Sequence, residues 1–287
     1  MKKRKPRVVV LSDIHLGARE CQADALLAYL SSIRPEVLVL NGDLFDFDRF
    51  DKAYFPPSHF KVLKKILGLA AGGTLVYYLT GNRDQGFRKF TGSALGNLQV
   101  LDRLLLTLDG RKTWFFHGDV CDLAGGSTKW IARLGSPGYR GLLFGNKAVN
   151  RLRRLAGREP YSAARKTIKG RAAREYLEKF EQTVVEMALN KRYDTVVCGH
   201  IHHPKKAWKE TPQGNCLYLN SGDWTDNLTA LEYAFKRWKL YRYSEDKLAP
   251  FYADEELKGM DMNQLIASII GISTHQKDEK APDGSDY

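Results

Sequence analysis

Five apolar, β-branched runs, each closed by a side chain that binds metals, constrain this 287-residue chain more than any other feature. The runs are Arg7–Leu11, Val37–Leu40, Thr74–Leu79, Thr113–Phe116 and Thr195–Cys198. They are apolar at successive positions instead of alternating, so each predicts a strand covered on both faces in the interior of a sheet. Just past their ends stand Asp13 with His15, Asp43, Asn82, His117, and His200 with His202. Ligands of open α/β sheets sit beyond the carboxyl ends of the strands, so these side chains are expected at one end of the molecule. Carboxylates, imidazoles and an amide oxygen, with no cysteine among them, do not match a structural zinc site. They suit Mn²⁺, Fe²⁺, Zn²⁺ or Mg²⁺ in a two-ion site with room for water, and the lack of a cysteine leans the preference toward Mn²⁺ or Fe²⁺ over zinc alone.

Helical patterns fill the gaps between the strands. Cys21–Ser32 carries apolar residues at Ala25, Leu26, Tyr29 and Leu30 and stops before Arg34–Pro35. Pro57–Leu69 opens on prolines and stops at Gly72–Gly73. Past His203 short strands return at Cys216–Asn220, Leu228–Phe235 and Trp238–Tyr243, the last two joined as a hairpin across Lys236–Arg237. The stretch from Ser127 to Asn190 breaks this rhythm and predicts three helices, Ser127–Leu134, Tyr139–Leu155 and Ser162–Leu189. The expected organisation is therefore a split α/β domain (7–126 and 193–250) around a helical cap (127–192). A helical extension (251–274) and a disordered polar tail (275–287) follow. Strands alternating with helices, then a strand-rich final third, predict two packed sheets flanked by helices.

The net charge of +12 is concentrated in the cap region, where residues 127–192 hold 16 Lys and Arg against 5 Glu and no Asp. Such an excess points to an anionic partner: a phosphate, a nucleic acid or an acidic membrane surface. The four cysteines form no CxxC pair and predict reduced thiols. The opening apolar stretch is too short for a secretory signal, and no segment approaches the ~20 apolar residues of a membrane span. A cytoplasmic protein is expected, with peripheral contact to the inner membrane as an extension of that reading.

In order and spacing, SDIHLG, GDLFD, GNRD, HGD and GHIHHP resemble the calcineurin-like metallophosphoesterases. The resemblance implies an αββα sandwich of two mixed sheets. It also implies that Asp13, His15 and His202 hold one divalent ion, that Asn82, His117 and His200 hold the other, and that Asp43 bridges them. Two cations ~3.5–4 Å apart repel unless an anion is shared, and water between them ionises near neutral pH to become the nucleophile at phosphorus.

Many members of that family carry His after the Asn of the third motif; here Arg83 takes its place. Arginine cannot act as a general acid, but its planar fork binds phosphate oxygens. A phosphate leaving group, with a second pKa of ~6, needs no proton, so Arg83 favours cleavage of a pyrophosphate bond. The same segments, spanning Arg7–Pro204, resemble the UDP-2,3-diacylglucosamine hydrolases of lipid A synthesis, which release UMP and a lipid sugar phosphate and hold acyl chains in a helical cap. By that resemblance Asn82 and Arg83 bind substrate, the apolar residues Trp130, Ile131, Leu142 and Phe144 line an acyl groove, and Arg165, Lys166 and Lys169 meet phosphates of substrate or membrane. Two departures stand against it: the cap sequence differs from that of the best-known hydrolases, and LNSGDWTDNLTALEY resembles a divergent branch. The expected partner is a nucleotide-linked glycolipid. A nuclease gripping nucleic acid with the basic cap, and a non-catalytic scaffold on the same fold, are the competing classes.

Overall fold

The strand–helix alternation resolves into two mixed sheets packed face to face, with helices on both outer sides. The computed structural model describes residues 3–47, 54–121 and 171–248. In chain order the strands are β1 (Val8–Leu11), β2 (Val37–Asn41), β3 (Leu75–Leu79), β4 (Ala94–Leu95), β5 (Leu98–Leu101), β6 (Arg103–Leu108), β7 (Arg111–Phe116), β8 (Thr195–Cys198), β9 (Lys205–Thr211), β10 (Gly214–Asn220), β11 (Thr229–Ala234) and β12 (Arg237–Arg242). One sheet has the order β12-β11-β1-β2-β3-β5-β4 and the other β6-β7-β8-β10-β9. Strands β1, β2, β3 and β5 run parallel, as do β7, β8 and β10, while the outer strands return antiparallel.

The doubly apolar runs are interior strands, and their alternation shows why. In β1, Val8 and Val10 face the second sheet beside Phe115, Val197, Leu219 and Leu231. Val9 and Leu11 face outward onto Leu26, Tyr29 and Leu30 of helix α1 (Ala23–Ser32) and Val62 and Ile66 of helix α2 (Pro57–Ala71). Both faces are dry, and each aliphatic side chain buried there contributes about 1.5–3 kcal/mol. Helix α1 stops where Pro35 disfavours helical geometry for its predecessor, and Ile33 is already extended at φ −123°. Helix α3 (Arg171–Asn190) covers the second sheet, laying Phe180, Val184, Val185 and Ala188 on Trp114, Val196 and Tyr218.

The expected sandwich is thus present, with three differences of detail. Strands β4, β5, β6 and β9 have no counterpart in the sequence reading. Three of them are sheet edges: β9, KKAWKET, is polar at most positions, β4 is two residues long, and β6, RLLLTL, is exposed or half-exposed at all but its last residue. The hairpin turns on Phe235–Lys236, not Lys236–Arg237, because Ala234 pairs with Arg237. Both turn residues have positive φ without the Gly or Asn that normally signals it. The helix expected over Ser162–Leu189 is described from Arg171 onward. The two other cap helices, the apolar cap residues, Arg165, Lys166, Lys169, the C-terminal extension and the tail lie outside the described residues. Among the described residues no helix is long and apolar enough to cross a membrane, and no disulfide joins the four buried cysteines.

Candidate metal centre

The strand ends of the two sheets are stitched together by their own backbones. Beyond β1, Asp13 N donates to Gly42 O (3.1 Å), His15 N to Asp43 O (3.0 Å) and Leu16 N to Leu44 O (2.8 Å), so the first two motifs zip along each other. Beyond β7 and β8, Gly199 N donates to His117 O (2.9 Å). His200 N then reaches across the sandwich to Asp13 Oδ2 (3.0 Å). Asp13, His15, Asp43, His200 and His202 all adopt positive φ, between 50° and 66°. A non-glycine residue there costs roughly 1–2 kcal/mol. Strain of this kind is retained where the surrounding structure over-determines it, as at functional sites. Glycine is compulsory beside these residues: a Cβ on Gly42, at φ +84°, would overlap the His117 ring, and one on Gly81 would stand 2.7 Å from Asp43 N.

Asp13, His15, Asp43 and His117 are buried, and His202 keeps 37% of its side chain exposed. Their donor atoms form two groups, Asp13–His15–His202 and Asp13–Asp43–His117, in each of which all donors lie within 4.8 Å of one another. His15 Nε2 and His202 Nε2 face each other at 3.3 Å, and His202 Nε2 lies 3.2 Å from Asp13 Oδ1. His117 Nε2 lies 3.5 Å from Asp43 Oδ2. Asp13 is therefore the carboxylate common to both groups. His200 stands outside them, its ring edge-on to His117 at 5.2 Å and tilted against Phe180. Asn82 follows β3, and its Oδ1 is buried without a hydrogen-bond partner. The amide N–H of Arg83 is bonded to Asp43 Oδ1 at 2.8 Å.

The set fits a divalent cation. His117 Nε2, Asn82 Oδ1 and Asp13 Oδ1 are all buried without a hydrogen bond, an expensive condition unless something else engages them. Charge balance points the same way. Burial disfavours the ionised form of Asp43, yet the His117 and His15 imidazoles and the Arg83 N–H hold its carboxyl well below the usual range. Burial likewise opposes a charged His117, but Asp43 raises it well above the ordinary imidazole value. His202, against the effect of burial, is raised to about 9 by Asp13 and then Asp223. The carboxylates that raise these imidazoles would equally attract a cation, and metal binding to such groups releases protons.

A ring of supporting groups went unassigned in the sequence reading, although their letters lie inside the quoted motifs. Asp46, the second acid of GDLFD, is fully buried and meets His15 Nδ1 at 3.1 Å. Asp84, the acid of GNRD, accepts from Gly81 N (2.7 Å), Leu44 N (2.8 Å) and the Tyr78 hydroxyl, tying the second and third motifs together. Its own carboxyl is pushed up, by burial and then by Asp43. Asn41 O accepts from His117 Nδ1 at 2.9 Å, which leaves Nε2 facing Asp43. An acid two or three residues past a ligand was the available signal; its partner was not visible without the fold.

A sandwich with two donor groups at the carboxyl ends of its strands defines a metallophosphoesterase class. The chain belongs to the calcineurin-like phosphoesterase family, which it matches over residues 6–204. It is therefore a hydrolase of phosphate ester or anhydride bonds, in a family that uses divalent metals. More particularly, it is 25% identical to the UDP-2,3-diacylglucosamine hydrolase of Edwardsiella ictaluri over 72% of this chain and 80% of that one. It is also 25% identical to the hydrolase of that name from Aliivibrio fischeri, over 82% of this chain and 98% of that one. A solved archaeal phosphodiesterase superposes at 13% identity and TM-score 0.39, covering 82% of this chain and 98% of that one.

Proposed function

We propose that this chain hydrolyses the pyrophosphate bond of UDP-2,3-diacylglucosamine or a closely related nucleotide-linked glycolipid, releasing UMP and a lipid sugar phosphate. In this reading Asp13, His15 and His202 hold one divalent ion, Asn82, His117 and His200 the other, and Asp43 lies between them; manganese is the favoured metal. When bound, such a pair supplies Lewis acidity, drawing charge from the phosphoryl oxygens and making water nucleophilic near neutral pH. The protein's own groups do the rest. Asp43 presents an ionised carboxylate in a buried setting, held by the Arg83 amide. The zipped strand ends fix the donors, so little reorganisation is needed when the phosphoryl group arrives. Asn82 and Arg83 orient that group.

The observation that carries the bond type is Arg83. Its main chain is bonded to Asp43, so its side chain starts at the centre, and it stands in the position where many members of the family carry His. A guanidinium cannot protonate an alkoxide, but it stabilises a departing phosphate, which needs no proton. The named relatives point to the same chemistry. Residues 127–192 serve in this reading as the helical cap, with Arg165, Lys166 and Lys169 meeting phosphates of the substrate or of the inner membrane surface.

The deciding experiment is a manganese-supplemented assay in H₂¹⁸O with UDP-2,3-diacylglucosamine, a simple phosphodiester and a monoester offered side by side. The expected result is preference for the UDP lipid with ¹⁸O appearing in UMP. Preference for the diester, together with tight DNA binding that falls steeply with salt, would install the nuclease reading that the basic cap suggests.

A further inference from the structure

The loop after β10, residues 221–227, supports the centre from behind. Asp223 in this loop is fully buried. Its Oδ1 accepts from the backbone N–H groups of Thr225 (2.9 Å), Asp226 (2.6 Å) and Asn227 (3.2 Å), and from the Thr225 hydroxyl (2.8 Å). Its Oδ2 is bonded to Asn227 Nδ2 and lies 3.8 Å from His202 Nδ1. Asn227 Nδ2 also donates to His202 O at 2.9 Å. In the same loop Trp224 N donates to Asp13 O at 3.1 Å.

The turn itself needs one side-chain oxygen, which Asn would supply as well as Asp. The backbone turn does not need the charge or the second oxygen; that oxygen accepts from Asn227 Nδ2 and faces His202. That ring lies between two carboxylates: Nε2 is 3.2 Å from Asp13 Oδ1, and Nδ1 is turned toward Asp223. His15 repeats the arrangement, with Nε2 toward His202 and Nδ1 at 3.1 Å from Asp46. The Nδ1 of His117, by contrast, is bonded to the neutral carbonyl of Asn41. A carboxylate behind a ligating imidazole sets its tautomer and orientation and strengthens it as a donor.

We propose that Asp223 is a positioning residue. Together with Asn227 it holds the backbone and ring of His202 so that Nε2 faces Asp13 and His15, and its charge makes the imidazole a stronger ligand for a divalent cation. The proposal rests on the two-ion reading above but not on the substrate, because its readout is metal affinity.

The test titrates Mn²⁺ into the chelator-treated full chain by calorimetry, with electron paramagnetic resonance to detect the coupled ion pair and thermal melts without metal to monitor folding. Asp223→Asn keeps an oxygen for the turn and removes the charge. It loses the bond from Asn227 Nδ2 and is expected to melt slightly below wild type but above Asp223→Ala, to lose affinity for one ion 10–100-fold, and to lack the coupled signal at Mn²⁺ concentrations that saturate wild type. Asp223→Ala, which also removes the acceptor for the turn, is expected to lower the melting temperature as well. Wild-type affinity for both ions in Asp223→Asn overturns the proposal. So does a melting temperature as low as that of Asp223→Ala, which would make the role purely structural. Wild type that binds no second ion overturns the two-ion reading and this inference with it.

Discussion

Arg83 separates two roles that one residue can hold. Its backbone N–H is tied to Asp43 Oδ1, a bond that any residue except proline would keep. The guanidinium is the part that tells phosphate chemistry apart from mere positioning. A hydrogen bond to a charged group contributes about 1.5–3 kcal/mol, so Arg83→Ala is expected to raise KM for the pyrophosphate substrate on the order of 10–100-fold. Metal content, measured by elemental analysis, should stay at the wild-type level. An unchanged KM would remove Arg83 from the substrate site. The type of this residue is legible from the sequence, because GNRD departs by one letter from the commoner family motif. The roles of Asp46, Asp84 and Asp223 are not, because an acid held by backbone amides and an acid that grips an imidazole look alike in one dimension.

At the scale of elements, the centre is a property of strand ends. Strands β1, β2, β3, β7 and β8 deliver their motifs to the same edge, and the turns that follow bend at once to present side chains, five of the candidate ligands having positive φ. Gly42 sits where β2 makes that bend, and the His117 ring fills the space a Cβ would need. Gly42→Ala therefore meets both the left-handed penalty, ~1–2 kcal/mol, and overpacking, ~1–3 kcal/mol. A loss of roughly 2–5 kcal/mol in denaturant unfolding is expected, with His117 displaced and metal affinity reduced. A variant with wild-type stability and metal binding would show that the strand end is looser than its contacts imply. The interior strands β1, β2, β3, β7 and β8 were readable because apolar side chains on both faces admit few other placements, whereas β5, LQVL, is only half-buried. The edge strands β4, β6 and β9 were not, because a two-residue bridge and strands left open to solvent along one face lack that doubly covered signal.

The whole molecule couples its two sheets through this edge. Asp13, from the first sheet, accepts the backbone N–H of His200 from the second, and two buried carboxylates lie close together where the sheets meet. A cation held between them engages only the folded form, so it stabilises by mass action, about 2.7 kcal/mol for each site at a hundredfold excess over Kd. For a protein of this size that corresponds to a rise of roughly 5–10 °C in Tm on adding Mn²⁺ after chelation. Tm unchanged by chelator and by added Mn²⁺, Zn²⁺ and Mg²⁺ would contradict the fit of the donor set.

What the sequence determined unaided was the set of covered strands, the end at which they deliver their motifs, and the chemical types gathered there. Hydrophobic burial acts locally enough to be read as a pattern of letters. Only the tertiary structure decided which donors meet. Asp13 is shared between both groups, His200 stands beside them, and Asp46, Asp84 and Asp223 carry the second ring of contacts. Those outcomes depend on distances between residues up to about two hundred positions apart, and no periodicity along the chain encodes them.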